Sequence, residues 1–119
     1  PNGTIDLLIL DAFSADAIPV HLLTREAFEV YESKLASGAM IAVHISNRYF
    51  DLEPVLALQA LNLGWEGLVK NDSGSIWVVL GDSSSVGSLR SIGGWTSVQT
   101  KGDLRIWTDE YSYDLAVLK

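Results

Sequence analysis

The 119-residue chain has no cysteine, a single methionine and three prolines. Without thiols there is no disulfide, no thiolate nucleophile and no cysteine-ligated metal. That usage fits a reducing, cytoplasmic setting. Histidine is scarce as well. His21 and His44 stand in separate segments without zinc-ligand spacing, so no metal site is expected. Eight lysines and arginines against fifteen acids leave a formal charge of −7. The basic residues are dispersed, which excludes a cationic footprint for nucleic acid and disfavours an anionic membrane surface. No apolar run approaches the roughly 20 residues of a spanning helix, and no signal-peptide pattern opens the chain. One further absence bears on chemistry. No glycine-rich turn follows a first strand, so the amide cradle of a dinucleotide or nucleoside fold is missing.

What is present is apolar and patterned. A hydrophobic content of 48% in 119 residues suffices for one modest domain. The opening "PNGTIDLLIL" enters a strand almost at once, and residues 1–119 read as one partial domain cut from a longer protein. The aliphatic run from Ile5 to Leu10 suits a strand buried on both faces of a parallel sheet, with Asp11 at its end. Ala27, Phe28, Tyr31 and Leu35 recur at helical intervals, which predicts a helix over 25–36. Thr24 is its expected N-cap and Gly38 its left-handed exit.

"AMIAVHIS" predicts a second buried strand over 39–46. Asp51 is then expected to cap a second helix, with Pro54 in its first turn and Gly64 at its exit. "WEGLVKN" and "SIWVVLG" around "DSGS" predict an antiparallel hairpin with a four-residue turn. Residues 82–103 read as a loop-rich segment with one helical turn near "SSVGSLRS", and "LRIWTDEYSYDLAVLK" as a short strand, a polar turn and an apolar end. Strand, helix, strand, helix, hairpin is an α/β sandwich, whose parallel crossover should be right-handed.

Ligands gather beyond the carboxyl ends of parallel strands, so Asp11 is the first candidate. A carboxylate there can accept a proton from an attacking amine or hold a cation, or it can simply satisfy loop amides. Asp16 lies among small residues that allow close approach, and serves equally as a turn acid. His21 can donate to a ligand or bond its loop. His44, inside a strand, reads as a core histidine, and Pro19 as a backbone constraint. Asn47 and Arg48 follow that strand on the expected ligand rim. Asp109, Glu110 and Tyr111 reach the site only if the tail folds back over it. The four tryptophans, without basic neighbours, read as core or partner contacts rather than a stacking platform.

The block "DLLILDAFSADAIPVHLLTREAFEVYESKLASGAMIAVHISNRYFDLEPVL", with the later "WVVL" and "WTDEYSYDLAVL", resembles the second half of a spermidine-synthase-like domain of the class I S-adenosylmethionine-dependent methyltransferase superfamily. The resemblance implies the C-terminal half of a Rossmann-like methyltransferase sandwich, with parallel strands, helical crossovers and a closing antiparallel hairpin. It implies Asp11 as the proton acceptor for an amine attacking decarboxylated S-adenosylmethionine, with Asp11 and Ala12 beside the cofactor. Asp16, His21, Asn47, Asp109 and Tyr111 then bind substrate, a polyamine or another small molecule. The acids stand further apart in "DAFSAD" than in the synthases' Asp-Ser-Ser-Asp-Pro loop, and residue 113 is tyrosine where the family tail has asparagine. Methyl transfer from S-adenosylmethionine, and a noncatalytic binding or assembly role, therefore stay open beside aminopropyl transfer. In this family the nucleoside loop and ribose acid lie on earlier strands, so this chain alone is expected to be inactive. Self-association, as a symmetric dimer, is expected to cover its open sheet edge. Some relatives carry membrane segments, which would make this a cytoplasmic domain of a membrane protein.

Overall fold

The computed structural model describes residues 3–11, 22–46, 51–100 and 104–108. Strand β1 (Ile5–Asp11) leads through helix α1 (Arg25–Lys34) to β2 (Leu35–His44). Helix α2 (Glu53–Leu63) precedes the hairpin β3 (Glu66–Asp72) and β4 (Ser75–Gly81). Helix α3 (Ser83–Arg90) and the short β5 (Thr96–Ser97) follow. The five strands form one sheet in the order β1-β2-β4-β3-β5. β1 and β2 are parallel, whereas β4 runs antiparallel to both β2 and β3. This is a mixed α/β fold of generic Rossmann-like topology.

Helix α1 forms where its pattern predicts. Thr24 Oγ1 accepts from the Ala27 amide at 3.2 Å, and Phe28 is fully buried. The helix stops at Lys34, two residues short of the expected 36, because Leu35 already adopts extended backbone and begins β2. Gly38 does have a left-handed φ of 79°, but inside β2, where the parallel register slips between the Ile5↔Leu35 and Leu7↔Met40 pairs. It accommodates a bulge rather than ending a helix.

In α2, Pro54 occupies the first turn and Gly64 ends the helix at φ 71°. Asp51 caps one position early, accepting from the Glu53 amide at 3.2 Å while Leu52 holds the N-cap position. The hairpin turn is shorter than expected. Only Ser73 and Gly74 lie outside the strands, both at positive φ (53° and 91°), the requirement of a two-residue type I′ turn. The segment 82–103 is also more regular than its composition suggests. Asp82 caps a complete helix α3, accepting from the Ser85 amide at 2.9 Å, and Thr96 and Ser97 pair with β3. Residues 104–107 carry no strand, and Thr108 forms a single bridge.

The core lies on one face of the sheet. Ile41 and Val43 of β2 and Val78 and Leu80 of β4 pack with Phe28 of α1, Val55, Leu56 and Ala60 of α2, and Trp107. The other face is only partly covered. α3 brings Val86 against Gly81 and Leu89 toward Met40 and Ala42. Leu7 and Ile9 of β1 point to this second face and are 51% and 60% exposed. The expectation of a strand buried on both faces is therefore corrected. β1 is an edge strand, and among the described residues no helix covers its second face. No described helix is long and apolar enough to cross a membrane.

Candidate functional site

Parallel pairing aligns the carboxyl ends of β1 and β2, so Asp11 stands directly beside His44. Antiparallel pairing then sets His44 beside Trp77 of β4, and Trp77 beside Lys70 of β3. Residues in register share a sheet face, because side chains alternate along each strand. Asp11, His44, Trp77 and Lys70 thus form one row across four strands, on the partly covered face. The contacts follow the row. His44 Nδ1 lies 3.5 Å from Asp11 Oδ1, an ion pair when the imidazole is protonated. The imidazole stacks on the Trp77 indole, with centroids 4.8 Å apart and planes inclined by 23°. Lys70 Nζ lies 5.9 Å from the centre of the Trp95 ring, a cation–π contact.

The first two members of this row differ in exposure. The Asp11 side chain is 70% exposed and that of His44 21%. A carboxylate so placed meets solvent, while the imidazole behind it is stacked on Trp77. Below the row lies a groove of about 420 Å³, lined by Leu7, Met40, Ala42, Val79, Leu89 and the two indoles of Trp77 and Trp95. Lys70 and Asp72 supply its polar lining. An apolar recess with a few polar groups at its mouth is the usual form of a small-molecule site.

Of the sequence-derived candidates, Asp11 stands at the carboxyl end of a parallel strand. Ala12, Asp16, His21, Asn47, Asp109 and Tyr111 lie outside the described residues, as does Arg48. The chain segments that lead to them are anchored, however. Gln59, fully buried in α2, donates from Nε2 to the carbonyls of Leu23 (2.8 Å) and Trp107 (3.0 Å). The Arg25 amide also donates to the Trp107 carbonyl, at 2.7 Å. One amide side chain therefore ties the backbone just after residues 12–21 to that just before residues 109–119.

Sequence reasoning passed over His44 as a core histidine, and did not connect Trp77, Lys70 and Trp95. The available signal was register. Asp11 and His44 each occur near the end of an aliphatic run, and a parallel crossover brings such ends level. Among the described residues no group of three or more histidines and acids is disposed to hold a metal ion.

The resemblance places the nucleoside-binding loop and the ribose acid on strands that would precede β1. The sequence after β1, "DAFSADAIPVHLLT", and after β2, "HISNRYFDLE", contains no glycine for a phosphate- or nucleoside-cradling turn. The described groups place an exposed carboxylate beside a stacked imidazole. No protein-family model matches the chain, and no curated protein or solved structure matches it.

Proposed function

We propose that this chain forms the proton-accepting side of a spermidine-synthase-like transfer centre, in which Asp11 receives the proton lost by an attacking amine. The observation that carries the reading is the exposed Asp11 carboxylate at the end of a parallel strand, 3.5 Å from His44 Nδ1. Support also comes from the topology, a parallel pair joined through a helix and followed by an antiparallel hairpin. The finer identification, the C-terminal half of a methyltransferase-type sandwich, rests on the quoted sequence blocks together with that order.

The chemistry follows from the amine. An alkylammonium has no lone pair, so it must lose a proton before nitrogen can form a bond to carbon. Asp11 takes that proton, with the His44 imidazole Nδ1 3.5 Å behind it. S-adenosylmethionine or its decarboxylated form would supply the alkyl group, held by residues other than those described. The chain by itself therefore binds amine but does not turn over. In a protein joining this sequence to a nucleoside-binding segment, Asp11→Asn should lower transfer by about 100-fold or more, the usual range for a lost general base. An unchanged rate would remove Asp11 from the mechanism. Whether an aminopropyl or a methyl group moves is read from the product formed with each donor.

A second reading, an assembly domain without catalysis, draws on the exposure of Leu7 and Ile9 along the β1 edge. It predicts a concentration-dependent homodimer in sedimentation, abolished by Ile9→Lys.

A further inference from the structure

We propose that the groove on the open face of the sheet binds a free aromatic α-amino acid, whose two charges are met by Lys70 and Asp72. The proposal makes no use of Asp11 and stands apart from the transfer reading. The groove, about 420 Å³, lies within the size range of small-molecule pockets. Its inner surface is set by register. Ala42 of β2 pairs directly with Val79 of β4, and Trp77, two residues before Val79, shares its face. Leu89 of α3 and Trp95 of the following loop add to the lining. Apart from Lys70 and Asp72, every lining side chain is aliphatic, thioether or indole. Such a surface stabilises an aromatic ring through buried apolar area and ring contacts, without choosing among aromatic ligands.

Charge narrows the choice. Lys70 and Asp72 are alternate residues of β3, so both side chains leave the same face, from Cα atoms roughly 7 Å apart. Neither forms an ion pair among the described residues. Lys70 instead extends over Trp95, its Nζ 5.9 Å from the ring centre. Gly93 and Gly94, at φ 89° and 84°, shape the loop that carries this indole, and a Cβ on Gly94 would stand 3.4 Å from Lys70 Cε. The charges are also close to the apolar lining. Lys70 is the direct cross-strand partner of Trp77, and Asp72 is its diagonal neighbour. A ligand carrying only a carboxylate would pair with Lys70 but be repelled by Asp72, and one carrying only an ammonium the reverse. Either would also draw water from a lining charge that it leaves unpaired. A zwitterion answers both. In an α-amino acid the two charged groups share one carbon, which fits between two side chains on neighbouring positions of one strand face. The ring then turns toward Trp77 and Val79.

The test is a titration of the 119-residue chain, followed by heteronuclear NMR. The probes are L-phenylalanine and its two single-charge analogues, 2-phenylethylamine and 3-phenylpropanoate. Phenylalanine should shift the indole N–H signals of Trp77 and Trp95 and the methyls of Ala42 and Val79. It should bind about threefold or more tightly than either analogue, the scale of one exposed ion pair. Lys70→Met should erase its advantage over phenylethylamine, and Asp72→Asn its advantage over phenylpropanoate. L-Leucine, a zwitterion without a ring, should bind more weakly than phenylalanine. Equal binding of phenylalanine and either analogue overturns the proposal, as does an advantage that survives both variants. Absence of binding by every probe overturns it as well, and a dimer in sedimentation would then identify a second copy as the occupant. Asp11 and an alkyl donor take no part in these measurements, so their failure leaves the transfer reading standing. Loss of the transfer reading likewise leaves this site intact.

Discussion

The two faces of the sheet are built from alternate residues of the same strands, yet they are finished differently. On one, Ile41, Val43, Val78 and Leu80 are sealed beneath α1 and α2. On the other, among the described residues, the eight-residue α3 alone packs, over β2, β4 and β3, and Leu7 and Ile9 remain exposed. The sealed face carries the core, and the open face carries the groups to which chemistry is proposed. The acid–imidazole pair and the indole-walled groove both lie where packing is incomplete. Functional side chains commonly need access that a closed core denies, and the alternation of a strand provides both environments within one element.

The largest test of this contrast is a pair of truncations. Phe28→Ala removes a fully buried ring from the sealed face and should cost about 3–5 kcal/mol in urea unfolding, the range for large core truncations. Ile9→Thr, on the open face, keeps a β-branched residue and should stay within about 0.5 kcal/mol. If Ile9→Thr cost as much as Phe28→Ala, something would be covering the open face in solution, and the contrast would fail.

Gln59 gives a test of intermediate size. Its Nε2 serves two carbonyls, but its Oε1 is buried with no partner. A residue chosen only for stability would not leave such an atom, since an unpaired buried acceptor is costly. Its distinctive effect is to join the Leu23 and Trp107 backbones. Gln59→Leu should cost about 1–3 kcal/mol by leaving the Leu23 carbonyl without this donor. Amide hydrogen exchange should then rise at Leu23 and Trp107 before it rises in β2 and β4. Uniform acceleration across all strands would show that Gln59 supports the core as a whole rather than those two anchors.

How far the sequence foretold this arrangement depends on the range of each interaction. Helix α1, the Gly64 stop and the hairpin were legible because caps, glycines and periodicity act within a few residues. The same local logic overreached in "DSGS", where strand pairing continued to the last two turn residues. It fell short in 82–103, where Asp82 and three successive serines start a helix that composition alone conceals. Burial of β1 was misjudged because an aliphatic run reports what a strand can tolerate, not which neighbours arrive. Asp11 stood out as the acid ending a strand. Its partner did not, because the Asp11–His44 contact exists only once β1 and β2 are placed in register. The Trp77, Lys70 and Trp95 groove needs three further pairings, and so lies furthest from sequence.

The smallest effect sharpens the comparison at two helix starts, where two acids are shifted in opposite directions. The Asp82 carboxylate is held below the usual aspartate value, chiefly by the Ser85 amide, then by the hydroxyls of Ser85 and Ser84. Its contribution to stability is full above the unfolded pKa and is lost as pH falls through the lower folded value. Glu53 is pushed upward, mainly by burial and further by Asp51, against the opposing hydrogen bond from the Gln99 amide. The folded chain therefore holds that proton to higher pH than the unfolded one. Acidification through this window favours folding, and raising the pH through the folded value removes the gain. The two groups thus tilt stability in opposite directions, Glu53 above the ordinary carboxylate range and Asp82 below it. Melting temperatures across acid pH should show this in the variants. Asp82→Asn, which keeps an acceptor for the Ser85 amide, should flatten the fall at the acid end. Glu53→Gln should instead remove the rise on entering acid from neutrality. A Glu53→Gln curve parallel to that of the parent chain would mean that α2 starts in full contact with water, and that the buried face ends short of it.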